Sequence, residues 1–223
     1  MVLKKIVSLA AGLAVAFSLT ACGGASSPNA GAASDNSAKS AGDKFVVGFD
    51  ANFPPYGYKD ETTGEYTGFD LDLAAEVAKR NKWTLEKKPI DWDAKDMQLD
   101  SGSVDCLWNG FTMNGREDKY TWSKPYVDNS IVFVTRSADN LKDAAALAGK
   151  TVIVQADSSG LAALEDEANK DLLASFKTLS KVPDYNNAFM SLEAGAADAV
   201  AVDIGVANYQ LETRKKGLFT IME

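Results

Sequence analysis

The sequence predicts an α/β fold with largely parallel sheets, on three observations. Short apolar, β-branched runs alternate with amphipathic runs from Lys44 onward, the pattern of strands covered by helices. A phrase recurs, Leu99–Asp105 (LDSGSVD) and Leu192–Asp198 (LEAGAAD), each followed by an apolar run. Both copies read as a helix end, a glycine stop, a turn and a strand. Such junctions are common by themselves. If the repeat is real, each half has its own sheet, and the chain crosses between halves near Val132 to Ser137. Finally, 223 residues with 46% apolar and 24% charged side chains suffice for a sizeable core in an ordinary globular chain.

The elements follow in order. Phe45–Phe49 reads as a buried strand. Leu71–Arg80 reads as a helix with Leu73, Ala74, Val77 and Ala78 on one face and Glu76 four residues before Arg80. Val104–Trp108, Ile131–Thr135 and Thr151–Gln155 read as strands. Leu161–Ala168 reads as a helix, Ala199–Val202 as a strand and Ile204–Lys216 as a helix.

The amino terminus reads as an address. Lys4 and Lys5 precede an uncharged, mostly apolar run from Ile6 to Leu19, too short to span a bilayer and suited to a signal peptide. Leu19-Thr20-Ala21-Cys22 then resembles the bacterial lipobox. That resemblance implies acylation of the Cys22 thiol (palmitate or a similar chain) and multi-chain anchoring in a membrane; the bland alternative is an ordinary secretory signal with a chance cysteine. Residues 23–43 are rich in Gly, Ala, Ser and Asn, without an aromatic residue, and read as a flexible tether with a reach of about 25 Å.

Charge and composition exclude several functions. The net charge is -8, and loss of Lys4 and Lys5 leaves 21 basic against 31 acidic side chains, or -10. Such a chain repels nucleic-acid phosphate on average, and Arg214-Lys215-Lys216 reads as a solvated helix end. Histidine is absent, so Ser-His-Asp and Cys-His catalysis are impossible and the commonest zinc ligand is missing. Cys22 and Cys106 do not suggest a disulfide framework.

Several phrases resemble the polar amino-acid family (family 3) of bacterial ABC-transporter solute-binding proteins. Asn52-Phe53-Pro54-Pro55-Tyr56 is similar to its aromatic-proline loop. Gly68-Phe69-Asp70-Leu71-Asp72-Leu73 is similar to the opening of its first long helix. Asn109-Gly110-Phe111-Thr112 with Arg116, then Trp122–Tyr126, resemble its central binding segment. Val154-Gln155 through Ser158-Ser159, and Asp203, resemble elements of its second lobe. Two spacings depart: Thr112 to Arg116 is one residue short, and Asp157 stands where a glycine usually precedes the serine pair. The chain also stops at Glu223, where the family continues with a return to the first lobe and a closing helix, which implies a fragment or pared-down lobes.

The resemblance implies a two-lobed, periplasmic-binding-protein-like type II fold with a hinge between lobes. Its divisions are residues 1–21 as lipoprotein signal, 22–43 as lipidated tether, 44–136 as the first lobe and 137–223 as an incomplete second lobe. It implies an extracytoplasmic, lipid-anchored, monomeric protein at the outer face of the cytoplasmic membrane. Its partners would be a free, polar amino acid and ABC permease subunits, with no cofactor, metal or catalytic role. Rival readings are a sensor, a decayed fragment, or a dehydratase-like enzyme on the same fold.

An amino-acid site needs a fixed cation, a fixed anion and a shaped wall. Arg116 is expected to clamp the carboxylate with its planar fork, or else to pair with Glu117 or Asp118 at the surface. Ser158 and Ser159 precede a helix and are expected to seat an anion or to cap. Asp203 ends a strand and is expected to hold the ammonium or to cap the next helix. Asn109, Gly110 and Thr112 complete these shells. Phe53, Tyr56 and Trp108 are expected to stack around the ligand, with Asp50 toward its side chain. Asp70 and Asp72 read as helix-start charges, and Cys106 as a buried hydrophobe.

Overall fold

The computed structural model describes residues 38–222. The signal segment, Cys22 and most of the tether lie outside the described residues. The last tether residues do not hang free. Lys39 pairs with Asp105 at 2.7 Å, its carbonyl accepts from Trp83 Nε1, and Gly42 N–H donates to the Lys82 carbonyl at 2.7 Å. The folded body therefore begins near Lys39, not at Lys44.

Strand β1 (Lys44–Phe49) leads a three-stranded parallel sheet. Phe45, Val47 and Phe49 point to one face, as the two-residue period of a strand requires. Short strands β2 (Asn52–Phe53), β3 (Gly57–Lys59) and β4 (Tyr66–Thr67) form an antiparallel set of their own. Helix α1 (Phe69–Asn81) covers β1, burying Leu71, Ala74 and Ala78 with Val77 beside them. Full burial of Leu71 alone contributes about 2 kcal/mol. Gly68 before α1 has φ +132, and a Cβ there would lie 2.4 Å from the Tyr56 carbonyl oxygen, so only glycine fits. At the other end Lys82 takes the left-handed conformation and its N–H closes the helix. Strand β5 (Thr84–Pro89), helix α2 (Lys95–Asp100) and strand β6 (Cys106–Leu107) follow, in the sheet order β5-β1-β6.

Strand β7 (Ile131–Arg136) opens a second, five-stranded sheet with β8 (Thr151–Gln155), β9 (Thr178–Val182), β10 (Ala199–Asp203) and β11 (Phe219–Ile221), in the order β11-β7-β10-β8-β9. Strands β8, β9 and β10 are parallel, while β7 and β11 run antiparallel to their neighbours. Strand β10 is buried throughout. Val200 and Val202 pack with Tyr185 and Phe189 of α5 (Tyr185–Glu193) and Val206 of α6 (Ile204–Thr213). Ala199 and Ala201 pack on the other face with Leu161 and Leu164 of α3 (Ser159–Glu165). Helix α4 (Lys170–Ser175) leads into β9.

The chain thus enters the second sheet before Ile131, earlier than the expected crossing at Val132–Ser137. The first lobe, expected to reach residue 136, gives up β7 because Ile131–Thr135 pair with β10 and Arg136 with β11. The Val104–Trp108 strand shrinks to Cys106–Leu107, since the Ser103 and Val104 amides turn back to the Gln98 carbonyl. The helix expected to reach Ala168 ends at Glu165, where Asp166 leaves helical geometry and caps a short turn by accepting from Ala168 N–H. The helix expected to reach Lys216 ends at Thr213, where Arg214 is extended.

Both copies of the repeat make the same turn. Gly102 and Gly195 have φ +69 and +77, and their N–H groups donate to the Leu99 and Leu192 carbonyls. The next two amides of each copy bond back to a single carbonyl, Gln98 in one and Ser191 in the other. Among the described residues no helix is long and apolar enough to cross a membrane.

Candidate functional site

The two lobes meet around a narrow cleft whose free space is about 10 Å³, room for a single water. The first lobe supplies Phe53, Trp92 and Phe111 as an aromatic wall, with Asn109, Gly110 and Thr112 below. The second supplies Gln155 at the end of β8, Ser158 and Ser159 at the start of α3, and Asp203 at the end of β10. These strand ends converge because parallel strands present their carboxyl ends on one edge.

Asp203 is the electrostatic centre, at 2% exposure. Its Oδ1 accepts from Ser159 Oγ at 3.0 Å and from Asn129 Nδ2. Its Oδ2 is buried without a hydrogen-bond partner among the described residues, and its side chain makes no capping bond to α6. Burial raises its pKa, opposed by the Asn129 and Ser159 donors and by the charge of Arg116. An unpaired carboxylate oxygen in a dry site calls for a donor, best a cationic one.

The serines divide their work. Ser158 Oγ accepts from Leu161 N–H at 3.1 Å and donates to the Gln155 carbonyl at 2.8 Å, so its hydroxyl is taken up in capping α3. Ser159 is spent on Asp203. Asp157 before them has φ +54, a conformation glycine adopts without cost, which explains why a glycine was expected there.

Arg116 is buried but stands behind the wall. Its guanidinium lies 5.2 Å from the Phe111 ring centroid. It donates to the Thr112 carbonyl at 3.2 Å and across the cleft to the Asp157 carbonyl at 3.4 Å. The surface pairing with Glu117 or Asp118 does not form among the described ion pairs. Asp50 also stands back from the cavity: Oδ1 accepts from Asn52 N–H at 2.8 Å and Oδ2 from Gln155 Nε2 at 2.6 Å. It therefore ties the lobes together instead of facing the cavity, and burial pushes its pKa up to about 6.

Two of the expected stacking residues lie elsewhere. Trp108 packs behind, 6.4 Å from the Tyr126 ring. Tyr56 stacks on Phe53 at 5.6 Å and wedges between Gly110 and Gly205, where a Cβ would lie 3.3 and 2.3 Å from it. Phe53 reaches the cavity as expected.

Sequence reasoning missed Trp92, Phe111 and Gln155 in the wall, and three supporting residues. Asn129 links Thr112 Oγ1, at 3.1 Å, to Asp203. Asp70 accepts from Gly110 N–H and from Tyr126 O–H at 2.9 Å, pinning the 109–126 segment to α1. Lys95, buried in α2, pairs with Asp157.

Residues 45–182 match the bacterial extracellular solute-binding proteins, family 3. The chain is 35% identical over 107 residues to the L-cystine-binding protein TcyA of Bacillus subtilis, covering 48% of this chain and 40% of that protein. It is 28% identical over 171 residues to the arginine-binding extracellular protein ArtP of the same organism, covering 76% of this chain and 61% of that one. The chain therefore spans less than two thirds of the length of these curated relatives. A substrate-binding protein of an ABC uptake transporter from Streptococcus pneumoniae, solved with bound histidine, superposes with a TM-score of 0.75 at 33% identity, over 80% of this chain and 74% of that one. An ancestral arginine-binding protein bound to arginine gives 0.73 at 32%, over 80% and 78%. The fold is the two-lobed type II architecture, and the chain belongs to the bacterial extracellular solute-binding proteins of family 3.

Proposed function

We propose that this chain captures a free amino acid outside the cytoplasm and hands it to the membrane subunits of an ABC importer. The observation that carries this reading is the unpartnered Oδ2 of Asp203 at the cavity wall, which suits a ligand ammonium. The ligand carboxylate sits at the Thr112 hydroxyl and the backbone N–H groups at the start of α3, with the charge of Arg116 acting from behind Phe111. The side chain lies along Phe53, Trp92 and Phe111. The chain works as a monomer, anchored through acylated Cys22 at the outer face of the cytoplasmic membrane, and carries out no catalysis. The family membership and the cystine-, arginine- and histidine-binding relatives support this reading.

Closure completes the site, because the aromatic wall and Asp203 belong to different lobes. Calorimetric titration of the chain with each common amino acid and with cystine tests the proposal. One of them is expected to bind in the micromolar range or tighter, and Asp203→Asn to weaken that binding about a hundredfold. Binding of none, or undiminished binding to the variant, overturns it.

A further inference from the structure

We propose that Lys95 and Asp157 form a closure latch, a positioning pair that exists only when the lobes meet and that slows release of the ligand. The proposal rests on the amino-acid-binding reading. Lys95 belongs to α2 of the first lobe and Asp157 to the turn after β8 of the second. The Lys95 side chain is 2% exposed, yet its ammonium has one anionic partner among the described residues, the Asp157 carboxylate. Its Nζ stands 5.3 Å from the Trp92 ring centroid and 5.9 Å from that of Phe111. Both rings wall the cavity. A ligand packed on those rings and the latch behind them therefore favour the same closed arrangement.

Asp157 receives two cations of the first lobe at once, Lys95 at its carboxylate and Arg116 at its carbonyl. Its φ of +54 is a conformation that a non-glycine residue adopts at a cost, offset here by these contacts. A buried ammonium without its partner is unfavourable, so separating the lobes must let water reach Lys95. The Asp157 side chain is 53% exposed, which screens the pair. Its effect thus falls on the lifetime of the closed state, and so on the ligand off-rate.

Lys95→Met, Asp157→Asn and the double variant test this in the full chain. Each single variant is expected to release the bound amino acid about tenfold faster with the on-rate unchanged, and the double variant to behave like either single one. Asp157→Asn lies at the surface and reads the latch even if Lys95→Met folds poorly. A second reading needs no ligand. Spin labels on Met97→Cys and Met190→Cys, both 62% exposed and one in each lobe, report the distance between lobes in a Cys22→Ser background. Cys106, a half-buried free thiol, is replaced by alanine in the same background. The single variants are expected to lengthen that distance without ligand, and the double variant to add nothing. Additive effects, or unchanged distances and off-rates, overturn the latch. If the parent chain binds no amino acid, the binding reading fails, and the label distances alone decide the latch.

Discussion

Asp105 and Asp198 occupy one place in two lobes. Asp105 accepts from Val46 N–H at 2.7 Å while its own N–H donates to the Val46 carbonyl at 2.8 Å. Asp198 does the same to Thr151, at 2.8 Å in both directions. Each also pairs with a cation, Lys39 in the first lobe and Arg136 in the second. Each carboxylate thus fastens the turn after a helix to the first parallel strand of its sheet.

Local consequences follow for each lobe separately. Asp105→Ala is expected to speed amide exchange at Val46 and Asp198→Ala at Thr151, without crossing over. Each substitution removes a hydrogen bond that is exposed at Val46 and part-buried at Thr151, and lowers stability by about 0.5–1.5 kcal/mol. Hydrogen exchange followed by NMR, with urea unfolding, checks both statements.

Asp203→Asn separates recognition from stability. The variant keeps the shape and an acceptor for Ser159 but removes the charge facing the cavity. Affinity is expected to fall about a hundredfold, the scale of a desolvated charge pair. The ligand-free melting temperature is expected to hold or rise, because the native carboxylate is buried with one oxygen unpaired. A melt lowered by several degrees would assign Asp203 a structural role instead.

Gly205→Ala is expected to block closure. The added methyl would lie 2.3 Å from the Tyr56 hydroxyl and 2.9 Å from its Cζ. Overpacking of this kind costs about 1–3 kcal/mol, and here it falls on the closed state, so affinity drops about tenfold or more. Adding Tyr56→Phe removes the nearest atom and is expected to restore part of that loss. Titration of the single and double variants reads the outcome.

Stability should fall as pH rises through mild acidity. Burial raises Asp50 and Asp70 from 3.8 to about 6, against the donors that bond them. A carboxyl raised on folding holds its proton more tightly in the folded chain. Its contribution is complete below about 3.8 and is lost as pH rises through about 6. Each adds a slope of at most about 1.4 kcal/mol per pH unit in that window. Urea unfolding of the ligand-free chain between about pH 4 and pH 7 checks this, and Asp70→Asn is expected to flatten the profile.

Strands with continuous apolar runs were legible in the sequence because burial on both faces leaves no alternation to misread. Thr151–Gln155 was placed to the residue, and Ala199–Val202 to within one. The repeated phrase was legible because a left-handed glycine constrains sequence strongly. Strand β5 was not: its run TLEKKP is largely polar and half-covered. The crossing point was misplaced because strand propensity says nothing about which sheet a strand joins. In the site, Asp203 and Ser159 stood out by their place at strand and helix ends. Lys95 and Asn129 did not, since their partners Asp157 and Asp203 are 62 and 74 residues away in the chain.

The aromatic wall of Phe53, Trp92 and Phe111 comes from one lobe, and Asp203 with its supporting hydroxyl from the other. On the amino-acid-binding reading, the features every amino acid shares and those that distinguish one from another are met by separate parts of the chain. Cargo preference can then drift by replacement of a few rings, while the grip on the zwitterion stays fixed. Descendants of one such gene are free to diverge in diet without rebuilding the machinery of capture.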